Sequence, residues 1–141
     1  MELSINVYYW HEIMGPLPIY SDGKLEIKEE DVFILLSSIE PYSITTESSI
    51  LGPSYIGDDI LMSYNRSISN PDAQDERLKL MGTDCWVIIS CEMEFEIVLL
   101  SKIELIKMIL DIEFDTIDEI SQLDSNLGKK ASYAIREVIF K

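Results

Sequence analysis

The sequence predicts an α+β domain: a five-stranded antiparallel sheet with one helix on one face and two on the other, in the order β-β-α-β-β-β-α-α. Three observations lead there. Short apolar stretches rich in β-branched and aromatic residues alternate with period two and are divided by turn residues. Helical periodicity appears once in the middle of the chain and again across its C-terminal third. The strands arrive in consecutive groups with short connections, as antiparallel hairpins require. At 141 residues the chain is read as one domain, 1–141. A chain of that size buries about 68–70% of its extended surface and can hold a core without disulfides.

The elements follow in order. In residues 4–11, Ile5, Val7 and Tyr9 alternate with Tyr8 and Trp10, so both faces are apolar or aromatic, as in a strand within a sheet. Gly15-Pro16 ends that strand, and Leu17–Tyr20 reads as a short return closed by Asp22-Gly23. Prolines so close together place the return at an edge or a bulge. "KEEDVFILLSSIEP" opens with acids, sets Val32, Leu35, Leu36 and Ile39 at helical spacing and stops at Pro41, which predicts the first helix. After the polar run Thr45–Ser49, Ile50–Ile56 reads as a short strand and Gly57-Asp58-Asp59 as a tight turn. Ile60, Met62, Tyr64 and Ile68 alternate with Leu61, Ser63, Asn65 and Ser67, predicting a strand with one wet face.

In "NPDAQDERLKLMG", Asn70 suits a helix cap, Pro71 the first helical position and Gly82 the terminus, predicting one or two turns between adjacent strands. "TDCWVIISCE" is the clearest strand and belongs at the sheet's centre. Ser101-Lys102-Ile103-Glu104 matches a capping box, so a helix is expected from there to Asp111–Phe114, with residues 94–100 assignable to strand or helix. Asp115 then caps one long helix over 116–139, whose apolar positions run from Ile117 to Val138 and which Gly128 interrupts at a cost of about 1 kcal/mol relative to alanine.

Charge narrows the function. Eleven Lys and Arg against 26 Asp and Glu give −15, which repels phosphate backbones and anionic lipid surfaces, so neither nucleic-acid binding nor direct membrane insertion is expected. No apolar run approaches the about 20 residues of a membrane span, and no signal peptide is read at the N-terminus. A cytoplasmic protein is expected. Between Glu92 and Asp124 ten acids face two lysines, which reads either as a solvated helix face or as a docking surface for a basic partner. Glu104, Asp111, Asp118 and Glu119 are its candidate contacts.

No catalytic signature is present. His11, the one histidine, has only Glu12 beside it and no nucleophile pattern around it, so a structural or surface role is expected. None of the six glycines forms a phosphate-binding loop. Asp72, Asp75 and Glu76 lack the alternate-oxygen spacing of a calcium loop, so neither metal nor cofactor is expected. Cys85 and Cys91 lie six residues apart in one strand. That is about 20 Å at about 3.3 Å per residue, beyond the about 7 Å a disulfide spans. They read as buried thiols. Arginine is scarce: Arg66, Arg77 and Arg136. An arginine offered from a connector can stabilise charge during phosphoryl transfer in a partner, and Arg77, with Arg66 second, is the candidate; its plainer role is a surface ion pair with Asp75 or Asp72.

From Ile5 to Phe140 the chain resembles the longin domain of the roadblock and longin superfamily. The likeness is strongest at "VYYWHEIMGPLPIYS", similar to the opening of longin domains in nitrogen-permease-regulator, folliculin and DENN-type proteins, and it extends to "MSYNRSISNPDAQDERLKLMGTDCWVIIS". Size and pattern are similar to stand-alone archaeal longins. The resemblance implies a non-enzymatic platform that binds or regulates a small GTPase, pairs with another longin or roadblock subunit, or serves as a trafficking adaptor. A homodimer through free sheet edges fits the same picture. Only Gly15 and Pro16 carry over from the family pattern, as turn residues. Two further roles are open: a subunit of a GTPase-activating or exchange complex acting in trans, and a small-ligand sensor.

Overall fold

A computed structural model describes residues 1–25, 27, 30 and 48–141. The helix expected from "KEEDVFILLSSIEP" lies outside these residues. Among the described residues the sheet has five strands: β1 (Ser4–His11), β2 (Gly15–Asp22), β3 (Ser49–Ile56), β4 (Asp59–Ile68) and β5 (Thr83–Glu92). Their spatial order is β2-β1-β5-β4-β3, and every neighbouring pair is antiparallel. β5 therefore occupies the middle, as its unbroken apolar character demands: Cys85 to Cys91 are all buried.

Three helices are described: α1 (Glu76–Met81), α2 (Glu96–Phe114) and α3 (Ser125–Ile139). α2 packs against α3 and over β3, β4 and β5, while α3 lies over β1 and β2. Beneath them Ile5, Val7, Ile60, Met62, Tyr64, Val87 and Ile89 meet Leu99, Ile106, Leu110, Phe114, Ala131 and Ile135 in one core. Side chains alternate across a strand, so Leu61, Ser63, Asn65, Trp86 and Ile88 point to the opposite face. They too are buried, so the wet face expected along β4 is dry. Leu61, Trp86 and Ile88 make that side apolar enough to need cover.

Both rims of the sheet are interrupted. β2 carries Pro16 and Pro18, and its pairing with β1 skips Ile19 between the Val7–Tyr20 and Tyr8–Pro18 pairs; β3 shifts between Leu51 and Ser54, around Gly52-Pro53. Proline withholds a donor and a bulge twists the strand away, which works against pairing with a further strand.

Four boundaries differ from the sequence reading. The return strand is longer than Leu17–Tyr20, because β2 starts at Gly15 itself. The connector helix is capped by Asp75, whose carboxylate accepts from the Arg77 amide at 2.8 Å, rather than by Asn70. Asn70 instead donates to Thr83 Oγ1. Gly82 ends the helix as expected, with φ +86 and its amide on the Leu78 carbonyl.

α2 begins at Glu96, so residues 94–100 belong to a 3-10 turn (Met93–Phe95) and to the helix. The apparent capping box lies inside that helix, and Ser101 Oγ bonds back to the Val98 carbonyl. The last helix starts at Ser125, not 116, with Asp124 as cap accepting from the Leu127 amide at 2.9 Å. Ile117, Ile120 and Leu123 still pack on the core, but from a loop and a 3-10 turn over Ile120–Gln122. Their three-residue spacing suits a 3-10 turn as well as an α-helix, which is why periodicity joined the two segments. That turn is pinned by the Ile120 amide on the Ser69 carbonyl.

Candidate interaction surface

Among the described residues, two carboxylates each gather three donors where a helix meets the sheet. Asp22 on β2 accepts from Tyr20 Oη at 2.8 Å, from Ser132 Oγ on α3 and from Arg136 Nη2 at 2.6 Å. Arg136 also donates to the Leu3 carbonyl at 2.9 Å. Asp111 on α2 accepts from Tyr64 Oη at 2.6 Å, from Ser48 Oγ and from Lys107 Nζ at 3.3 Å. Partial burial pushes both acids up, but the hydrogen bonds and neighbouring cations outweigh it and hold both below the ordinary aspartate range.

A carboxyl whose folded pKa is depressed contributes stability above its unfolded value, about 3.9, and loses it as pH falls through the folded value. Acid also relieves the repulsion of a −15 chain, which acts in the opposite direction. The expected result is therefore a comparison. Asp22→Asn lowers the urea midpoint at pH 7 and shows a smaller loss between pH 7 and pH 3 than the parent chain. Equal losses in both proteins would remove Asp22 from the acid response.

Asp111 is thus committed to the fold, and of the sequence candidates Arg66 is committed too: its guanidinium donates to Asp115 at 2.7 Å and is largely covered. Glu119 works locally, in a reciprocal capping box with Gln122. Glu104 and Asp118 are exposed. Arg77 projects from α1 with 75% of its side chain accessible and only a 3.8 Å approach to Asp75. His11 accepts from the Ile13 and Met14 amides through Nδ1, which fastens the β1–β2 turn. Glu12 receives the Asp75 amide at 2.8 Å, joining that turn to the connector before α1. Cys85 and Cys91 are free and buried; loss of solvation drives the Cys85 thiol well up and the Cys91 thiol up to about 11, so neither is poised as a nucleophile. Among the described residues no group of three or more His, Cys, Asp and Glu is placed to hold a metal, and no helix is long and apolar enough to cross a membrane.

The feature that sequence reasoning missed is on α2. One side of the helix buries Leu99, Ile106, Leu110 and Phe114. The opposite side is also apolar: Ile97, Leu105, Met108 and Ile112 are 82%, 45%, 62% and 65% exposed. These four fall within an arc of about 80° and extend over about 22 Å at about 1.5 Å per residue. The signal was present in the acidic stretch, where apolar residues occupy every side of the helix instead of one. Between Glu92 and Asp124, acids frame the stripe and only Lys102 and Lys107 oppose them, with Lys107 held by Asp111 at 3.3 Å.

No protein-family model matches the chain, and a search of curated proteins gives no significant match.

Proposed function

We propose that this chain is a non-enzymatic, cytoplasmic interaction module of longin type that binds or regulates a small GTPase or pairs with a longin or roadblock subunit. The observation that carries the reading is the uncovered apolar face of α2. Four large side chains in one row are left in water on a helix whose other side is fully packed. Large apolar side chains left in water along one helix face mark a place where another molecule sits. The family part of the reading is supported by the entry hairpin at Gly15-Pro16 and by a five-stranded antiparallel sheet with the two C-terminal helices on one side.

The test is capture of small GTPases from the same cell, loaded with GDP or with a non-hydrolysable GTP analogue. Retention that depends on the nucleotide is the expected result, and retention of none in either state overturns the GTPase reading. A second role is favoured by the exposure of Arg77. If it acts as an arginine finger on the captured GTPase, Arg77→Ala lowers stimulated GTP turnover by about a thousandfold or more. An unchanged rate removes catalysis in trans and leaves binding.

A further inference from the structure

We propose that the outward face of α2 receives an amphipathic helix of another protein whose apolar ridge is flanked by lysine and arginine. The inference deepens the module reading by naming the chemistry of the partner, and it rests on the chain acting through a protein partner. Leu105, Met108 and Ile112 follow i, i+3, i+7 spacing, and Ile97 continues the same face two turns earlier across exposed Ser101, the shape that a helix packs against through its own i, i+3, i+4 and i+7 positions. Methionine at the middle of the row adapts to partners of differing outline.

Charge selects the flanks. Glu94 and Glu104 are exposed beside the row, and Asp115, exposed at its end, is paired with Arg66. Lys107 is neutralised by Asp111, and Arg66 by Asp115. A partner with basic flanks would be steered to this rim and held in register by it. A second copy of the chain brings the wrong sign, because pairing α2 with α2 sets the acidic rim against itself with −15 on each molecule. Strand addition at the sheet edges, the other common route to self-association, meets Pro16, Pro18 and Pro53.

The experiment uses the whole chain and a fluorescein-labelled 18-residue peptide of leucine and lysine, with leucines at helical spacing. A matched peptide carries glutamate in place of lysine. In anisotropy titrations at physiological salt the lysine peptide binds about tenfold or more tightly than its glutamate counterpart, a difference of about 1.4 kcal/mol. The double variant Met108→Ser with Ile112→Ser keeps the net charge and weakens binding by about tenfold. Leu80→Ser, an apolar change at a still more exposed position on α1, leaves binding unaltered.

Equal binding by the parent and the double serine variant means that attraction is charge alone and overturns the proposal. So does a dimer in sedimentation that the same variant dissociates, which assigns the face to a second copy. So does capture of a GTPase that survives the variant, since the partner then uses another surface. Stripe-dependent peptide binding without nucleotide-dependent capture removes the GTPase reading and leaves this face as a helix dock.

Discussion

Gly128→Ala will destabilise the chain by a net of about 1–2 kcal/mol, the reverse of what helix propensity predicts. Gly128 lies near the start of α3, where alanine is the better helix former by about 1 kcal/mol. The opposing effect is contact with the sheet. A Cβ at this position would stand 2.4 Å from Tyr20 Cβ and 2.7 Å from Tyr20 Cγ. The first of these atoms is fixed to the β2 backbone, so relief requires α3 and β2 to separate. That movement would stretch the Asp22 contacts to Ser132 and Arg136 that join the same two elements. Overpacking of this kind costs about 1–3 kcal/mol, and its upper range applies where backbone must move. Urea denaturation provides the measurement, with a lower midpoint at unchanged slope expected. Tyr20→Ala in the same chain does not restore stability, because alanine keeps the Cβ that makes the closest approach. A variant at least as stable as the parent would show that the helix can shift freely on β2.

Gly128 also shows what was legible in the sequence. Its spacing within the last apolar pattern read as an interruption with a fixed propensity cost, because local periodicity contains no information about the strand opposite. The sheet was legible for the converse reason. "TDCWVIISCE" has buried side chains on both faces, and a strand with no polar side has to lie between others. Gly15-Pro16 and Gly57-Asp58-Asp59 marked two hairpins, but not their turns in full: the first turn is Glu12–Met14, with Gly15 and Pro16 already paired to His11 and Trp10, and the second is Gly57-Asp58, with Asp59 paired to Ile56.

Helix starts were less legible, since several residues qualified as caps. Asn70 and Asp75 both suit an N-cap, and only the position of the Arg77 amide selects Asp75. Ser101-Lys102-Ile103-Glu104 satisfies the capping-box pattern inside a continuing helix. Function was the least legible part. Arg66, a candidate from scarcity alone, lies against Asp115, and Asp111, a candidate from the acidic run, anchors Tyr64. Such pairings depend on which elements the fold brings together, and a charge count does not contain them.

Leu110→Ala will cost about 2–5 kcal/mol, while Met108→Ala, two residues earlier on the same helix, will change stability by less than about 0.5 kcal/mol. The residues are alike in size and apolar character. Leu110 is 0% exposed beneath α2, in the core with Ile106, Phe114 and Ile135. Truncation there removes buried methyl groups and leaves a cavity that close-packed neighbours fill only in part. Met108 loses almost nothing in the isolated chain, because most of its surface is already in water and alanine raises helix propensity. Thermal or urea unfolding of the two variants separates them directly.

The order reverses for binding. Met108→Ala removes contact surface from a partner on the outer face, whereas folded Leu110→Ala keeps that surface intact and binds as the parent does. α2 buries one apolar face within the chain and leaves the other in water, so in this fold the outer face is buried only when another molecule covers it. A chain in which Met108→Ala destabilised the isolated monomer as much as Leu110→Ala would have its outer face packed within itself, with no surface left to offer.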